Sequence, residues 1–229
     1  MPITLYDLAG ADPALRFSPY CWRTKLALAH KGLTVETIPW RFTDKAVLAF
    51  SGQGKVPLIV DGERVVFDSW AIAEYLENTY PDQPSLFGGP AGRAAMRFIN
   101  GWADSTLHSG IARMVVRDIH AVLAAKDQAY FRSSREAALG ATLEAVVEGR
   151  EARLEAWRAL LTPVRLALRT QAFLGGEGPS YADHILFGTL QWPRCVSSFA
   201  LLAPDDPVAA WFSRVGALYG GLGAGARTV

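Results

Sequence analysis

Hydrophobic and polar positions change period repeatedly over the first eighty residues of the chain and then settle. Residues 3–6 alternate like a short strand, and residues 21–31 carry apolar side chains at helical spacing until Gly32 stops the run. Ser18 and Pro19 stand just before that helix, a hydroxyl suited to an N-cap and a proline suited to the first turn. A second alternating stretch covers residues 33–38. After an irregular basic segment at 41–54, residues 56–60 and 64–67 flank Asp61-Gly62, a pair favoured in two-residue hairpin turns. Asp68 or Ser69 can then cap a helix reaching about Tyr80. Interleaved periods of this kind predict a β-α-β-α-β-β-α unit.

Residues 81–92 hold three prolines and three glycines and read as a linker. Beyond them the period is helical throughout. Met96, Ile99, Ala103, Leu107, Met114 and Val115 mark one long helix, and Leu154, Trp157, Leu161, Val164 and Leu168 mark another. Ser180-Tyr181-Ala182-Asp183 is a capping box with Asp at the reciprocal position, opening a third helix that Pro193 should end or kink. A last helix covers residues 208–219, before a loose glycine-rich tail at 220–225. The expected architecture is an α/β domain at 1–82 followed by an all-helical domain at 93–229.

Composition narrows the function. Half of the 229 residues are hydrophobic, enough for a substantial core, and 23 Lys+Arg against 22 Asp+Glu leave a net charge of +1. A balance this even provides no field for nucleic acid or an anionic membrane. No stretch has the length and apolarity of a membrane span, and residues 1–10 lack a basic leader, so a cytoplasmic location is expected. Two cysteines cannot build a disulfide framework, and the four histidines lack metal spacing; His30, beside Lys31, reads as a surface residue. Gly52-Gln53-Gly54-Lys55-Val56 lacks the first glycine and the terminal Ser or Thr of a phosphate loop.

The chemistry concentrates in three segments that fall at strand ends. Ser18 puts a hydroxyl at a helix N-terminus, where unsatisfied N–H groups and the helix dipole favour an anion such as a thiolate. A free thiol has a pKa of about 8.5, so help in ionising it directly increases the nucleophilic form. Gly54-Lys55-Val56-Pro57 enters a strand through an X-Pro bond that is a candidate for cis. The main chain of Val56 could then pair with an extended peptide while Lys55 receives a carboxylate. Asp68-Ser69 offers a carboxylate, a hydroxyl and helix-terminal N–H groups to an α-amino acid moiety.

With these three segments in this order, the chain resembles the glutathione transferase superfamily. The resemblance implies a thioredoxin-like first domain, a helical second domain and glutathione as co-substrate. Carried over by position, Ser18 matches the thiol-activating serine, Lys55 a contact for the glycyl carboxylate, Val56 and Pro57 the cysteinyl backbone clamp, and Asp68 with Ser69 the γ-glutamyl pair. Most families have Glu or Gln where Asp68 stands. Ser18 to Lys25, Phe67-Asp68-Ser69-Trp70, Glu148-Gly149-Arg150-Glu151 and Phe173-Leu174-Gly175-Gly176 look like the glutathione-dependent β-aryl etherases and the fungal Fu/A-type transferases. That branch implies a hydrophobic aromatic electrophile as second substrate. Tyr20, Trp102, His108, Arg113 and Met114 are the candidates to line its pocket. A homodimer is implied, and no metal. Two alternatives stand beside this reading: a non-catalytic module binding glutathione or an aromatic ligand, and a glutathione-dependent thiol-disulfide reductase working through Cys21. The latter is weakened because the redox Cys-x-x-Cys pattern has serine in its first place.

Overall fold

Leu5 and Ile59, neither exposed to solvent, pair across the middle of a four-stranded sheet. The computed structural model describes residues 2–229. The strands are β1 (Ile3–Leu8), β2 (Val35–Trp40), β3 (Leu58–Asp61) and β4 (Arg64–Phe67), in the order β2-β1-β3-β4. β1 and β2 run parallel, joined by helix α1 (Pro19–His30); β3 is antiparallel to both β1 and β4. β2 starts two residues later than the alternation suggests and continues through Pro39. A proline, which has no N–H for the ladder, is tolerated there because β2 is an edge strand. The segment expected to be irregular contains a 3₁₀ helix, Lys45–Ser51, closed by Gly52 at φ +68°. Helix α2 (Ser69–Thr79) completes the α/β unit, which is thioredoxin-like.

The register sets where the ends of these strands lie. Tyr6 pairs with Leu58 and Leu58 pairs with Phe67, so the end of β1, the start of β3 and the end of β4 share one side of the sheet. After β1 the chain makes a closed excursion: Ala9 and Arg16 form a bridge, and the Trp22 indole N–H donates to Arg16 O at 2.9 Å. Ser18 is thereby returned to that same side. α1 and α2 both start there.

The rest is helical: α3 (Pro90–Trp102), α4 (His108–Val122), α5 (Ala125–Leu139), α6 (Leu143–Val147), α7 (Arg150–Ala159), α8 (Thr162–Ala167), α9 (Tyr181–Val196) and α10 (Pro207–Gly216), with a short turn at Leu218–Gly221. The long helix expected through Met96 and Val115 is divided by a π-helical turn, Ala103–Leu107. The one expected at 154–168 breaks before Pro163, which opens α8. α5 and α6 have no counterpart in the sequence reading, since α5 is polar over most of its surface. α9 does not end at Pro193. The proline sits in its last turn, and burial of Leu190, Cys195 and Val196 offsets the forfeited helical bond.

Two further expectations are corrected. The glycine-rich tail is tied down rather than loose: Ala224 N–H donates to Gly216 O at 2.9 Å and the Gln191 amide to Gly223 O at 3.0 Å. A Cβ on Gly223 would come within 2.4 Å of the Phe187 ring, so the glycine is what admits this contact. His30 is not a free surface residue. Its Nδ1 lies 2.9 Å from Tyr219 Oη and its Nε2 3.1 Å from Ser85 O, while Tyr219 Oη also meets Nε2 of the fully buried His184 at 3.3 Å. Its neighbour Lys31 is likewise buried, paired with Glu77 at 2.7 Å.

The two halves share one core, and α1 lies directly on α9. At their crossing stands Gly188, where an added Cβ would be 2.5 Å from Pro19 O. A second clasp joins α5 to the segment after β2: Asp127 accepts from the N–H and the hydroxyl of Thr43, both at 2.8 Å. The Ser180–Asp183 capping box forms as expected. Asp183 is fully buried and also accepts from Leu174 N–H (2.7 Å), Gly175 N–H (3.1 Å) and the Trp211 indole N–H (2.9 Å).

Candidate functional site

Ser18 caps α1. Its Oγ accepts from Cys21 N–H at 3.3 Å, which leaves its own proton to donate, and its residue is 4% exposed. Pro19 has no N–H, and Tyr20 N–H has no acceptor among the described residues. The hydroxyl and that N–H therefore sit together at the positive end of a twelve-residue helix. An anion placed against this cap would meet two donors and the dipole.

The Val56–Pro57 peptide is cis, and among the described residues neither the N–H nor the C=O of Val56 has a hydrogen-bond partner. The free main chain lies just before β3, beside the end of β4, with its pairing edge open to an extended peptide. Lys55 is exposed. Sequence reasoning overlooked Lys45, whose ammonium donates to Gly54 O at 2.7 Å and so brings a second cation to the same loop.

Asp68 caps α2 through Oδ1, which accepts from Trp70 N–H at 2.9 Å and Ala71 N–H at 3.1 Å; Oδ2 remains available. Its φ of +73° is a conformation that costs a residue with a Cβ on the order of 1–3 kcal/mol, retained where surrounding contacts over-determine it. Ser69 follows, buried, with its carbonyl accepting from the Tyr181 hydroxyl at 2.7 Å. The three predicted segments thus meet on one side of the sheet.

Cys21 is fully buried one turn into α1. Burial, and then the negative charge of Asp7, push its thiol above the ordinary range, so it is no thiolate at neutral pH. Burial likewise pushes Cys195 up to about 11. No group of three metal-ligating side chains occurs among the described residues, and no helix there is long and apolar enough to cross a membrane.

The residues proposed for a second-substrate pocket are distributed unevenly. Tyr20 is 37% exposed at the start of α1 and leans on α4. Its Oη is 3.3 Å from His108 Nδ1, and the rings meet edge-on at 5.4 Å. His108 is buried, with Nε2 2.9 Å from Thr189 Oγ1. Trp102 is partly buried against the core. Arg113 is exposed on α4 without a side-chain partner among the described residues. Met114 is 1% exposed and belongs to the core, consistent with apolar residues at helical spacing serving packing first.

Beneath Tyr20 lies a group that the sequence reading did not single out. Arg23 is fully buried, with its guanidinium 4.9 Å from the centre of the Tyr20 ring. It donates to Asn100 Oδ1 at 2.9 Å and to Asp104 Oδ1 at 2.7 Å, and Asn100 in turn donates to Asp104 Oδ2 at 2.9 Å. The readable signal was the spacing of Asn100, Asp104 and His108, a polar stripe at every fourth residue facing an apolar neighbour, which calls for a buried cation. The π-helical turn carries Asp104 into that line.

Comparison with known proteins bears on both halves of the chain. Residues 17–79 match the family model for the glutathione S-transferase N-terminal domain, and residues 94–200 match the model for the C-terminal domain. Among solved structures, glutathione transferase GSTFuA3 from Phanerochaete chrysosporium superposes with a TM-score of 0.85 at 29% identity, covering 96% of this chain and 97% of its own. A glutathione S-transferase from Ceriporiopsis subvermispora, solved in complex with glutathione, gives a TM-score of 0.80 at 27% identity over 96% and 97%. Glutathione S-transferase Z2 of Arabidopsis thaliana is 37% identical over 39% of this chain. The match spans 40% of that relative's length, and 31% and 45% of two others.

Proposed function

Because the chain belongs to the glutathione S-transferase superfamily, we propose that its first domain binds glutathione and ionises the thiol for attack on a hydrophobic aromatic electrophile. The observation that carries this is the meeting, on one side of the sheet, of the Ser18 cap, the unpaired main chain of Val56 and the Asp68-Ser69 start of α2. Ser18 donates its hydrogen bond to the thiolate and is not itself the nucleophile. The cysteinyl main chain pairs with Val56 beside Pro57, and the glycyl carboxylate lies toward Lys55 and Lys45. The γ-glutamyl ammonium meets Asp68 Oδ2, with its carboxylate at Ser69 and the N-terminus of α2.

The second substrate approaches along α4 of the helical domain, taken as residues 93–229 against 1–82 for the first. Resemblance to the β-aryl etherases favours an aryl ether next to a ketone. There the thiolate sulfur bonds to the carbon bearing the aryloxy group, the C–O bond breaks, and the electron pair leaves on a phenolate that takes a proton from water. No further protein base is required, so positioning and the thiolate's charge carry the rate. Val65 and Phe67 on β4 and Phe98 on α3, the last 76% exposed, are apolar side chains left to solvent that a second copy of the chain would cover, in keeping with a homodimer. Two free, buried thiols accord with a cytoplasmic location.

Ultraviolet titration of the glutathione complex tests the reading. Thiolate absorbance should appear at a pH below the free-thiol value of about 8.5. Ser18→Ala should shift it upward and slow turnover by roughly 10²–10³-fold, the cost of losing one preorganised donor to a charged centre. A Ser18→Ala enzyme titrating and turning over as the parent does would remove Ser18 from the mechanism. Phenol release from a β-aryl ether ketone, followed by mass spectrometry, separates ether cleavage from simple conjugation.

A further inference from the structure

Residues 41–55 carry the chain from β2 to the cis peptide at Pro57, and α5 of the helical domain holds the first part of that segment. Asp127 is buried, and its Oδ1 accepts from both the N–H and the hydroxyl of Thr43 at 2.8 Å. The Lys126 ammonium pairs with the Asp44 carboxylate, and the Phe42 ring lies 5.6 Å from that of Phe131 and 6.3 Å from that of Tyr130. From the sheet side, the Trp40 indole N–H donates to Asp44 O at 2.8 Å. Lys45 therefore leaves the chain from a point fixed by both domains.

Its side chain is held at the far end as well. The ammonium donates to Gly54 O at 2.7 Å and stands 5.0 Å from the centre of the Trp40 ring and 5.6 Å from that of Tyr130, within reach of cation–π attraction to both. An ammonium has three N–H groups, so two remain after the Gly54 bond. Among the described residues no carboxylate pairs with it, since the adjacent Asp44 is taken by Lys126. With the γ-glutamyl end of glutathione at Asp68 and the thiol at Ser18, the glycyl carboxylate falls toward the residues before Val56, where this cation waits. A free lysine would lose rotamer freedom on binding; one already held between two rings has lost it in folding, which strengthens the contact.

We infer that Asp127 and Tyr130 of α5 are positioning residues for Lys45, so that recognition of the glycyl carboxylate depends on the helical domain as well as the first. The inference rests on the placement of glutathione under the proposed function and gives the polar surface of α5 a part in it. Asp127 sets the main chain from which Lys45 springs, and Tyr130 supplies one wall for its ammonium.

Isothermal titration calorimetry of the full chain with glutathione and with its glycyl monoethyl ester gives a ratio of dissociation constants that reads the carboxylate contact alone. A loss of folded protein lowers the number of sites and leaves that ratio unmoved. The parent should bind glutathione roughly ten- to a hundredfold more tightly than the ester, the usual yield of a hydrogen bond between charged groups. Lys45→Met should remove most of that preference. Tyr130→Leu, at an exposed position, should lower it roughly two- to fivefold, and Tyr130→Phe should keep it because the ring is what faces the ammonium. Asp127→Ala should lower it too, whereas Asp127→Asn, whose amide oxygen still accepts from Thr43, should hold it near the parental value. A parental ratio in Tyr130→Leu or Asp127→Ala overturns the inference, as does a parent that binds acid and ester alike. A parent that binds neither ligand removes the glutathione site and the inference with it. Binding with the expected ratios but no turnover of any aromatic electrophile leaves the inference standing and overturns the proposed reaction alone.

Discussion

The side of the sheet where Ser18, Val56 and Asp68 meet and the seam where Arg23, Asp104, His108 and Tyr20 meet both lie at the start of α1, yet they are built from opposite materials. The first is mostly main chain: a helix cap, an unpaired peptide unit and the first turn of another helix, open to a ligand. The second is mostly side chain: a guanidinium without solvent exposure that donates to Asn100 and to a part-exposed carboxylate while its Nε stays unpaired, and an imidazole held between Tyr20 and Thr189. A main-chain site needs only correct backbone geometry and tolerates varied side chains. A buried polar network has to be satisfied atom by atom, because each orphaned group carries its full desolvation cost. Here the open site carries the proposed chemistry, and the side-chain network ties the helix that presents it to α3 and α4.

Breaking the seam should have the largest effect. Arg23→Ala leaves Asn100, Asp104 and His108 without their cation and should lower stability by about 3–5 kcal/mol, read as a fall in the urea midpoint. Acid comes next and tells the two regions apart. Burial holds His30, His108, His184 and His120 below the ordinary histidine value. As pH falls below about 6.5 the unfolded chain takes up protons that these folded residues refuse. Stability should then drop by up to about 1.4 kcal/mol per pH unit for each of the buried His108 and His184, continuing to about 3 for His108, while the more exposed His30 and His120 add less because solvent screens them. Denaturation of the glutathione-free protein at pH 7.5 and 5.5 measures this, whereas thiolate absorbance is read only in the glutathione complex, so the two readouts are independent. The smallest effect belongs to the open site. Asp68→Ala removes the α2 cap and should cost about 1 kcal/mol while weakening glutathione binding; Asp68→Asn should restore the stability but not the affinity.

The same contrast explains what the sequence disclosed. Ser18-Pro19, Asp61-Gly62, Asp68-Ser69 and Ser180 to Asp183 are local signals, each decided by neighbours within four residues, and each sits where it was expected. Arg23 was missed because its partners are 77 to 85 positions away, and a lone arginine in a helix reads by default as surface. His30 and Lys31 misled for that same reason, since Tyr219 and Glu77 supply what solvent otherwise would. The glycine tail looked loose because glycine signals freedom in isolation. Only the Phe187 ring, packed against Gly223, shows that its small size serves close approach instead. Pro193 was expected to end or kink α9, which runs on for three residues to Val196, with Cys195 and Val196 buried beyond the proline.

Gly188 joins the two regions. The backbone oxygen of Pro19 rests where its side chain would have been, so the residue that follows Ser18 is seated on the second domain's central helix rather than merely near it. An excised N-terminal half would keep every residue matched to glutathione and lose the floor under its cap. For anyone dividing, grafting or shuffling such chains, a cut between α2 and α3 severs parts that share one core; the working unit runs from Ser18 through Gly188.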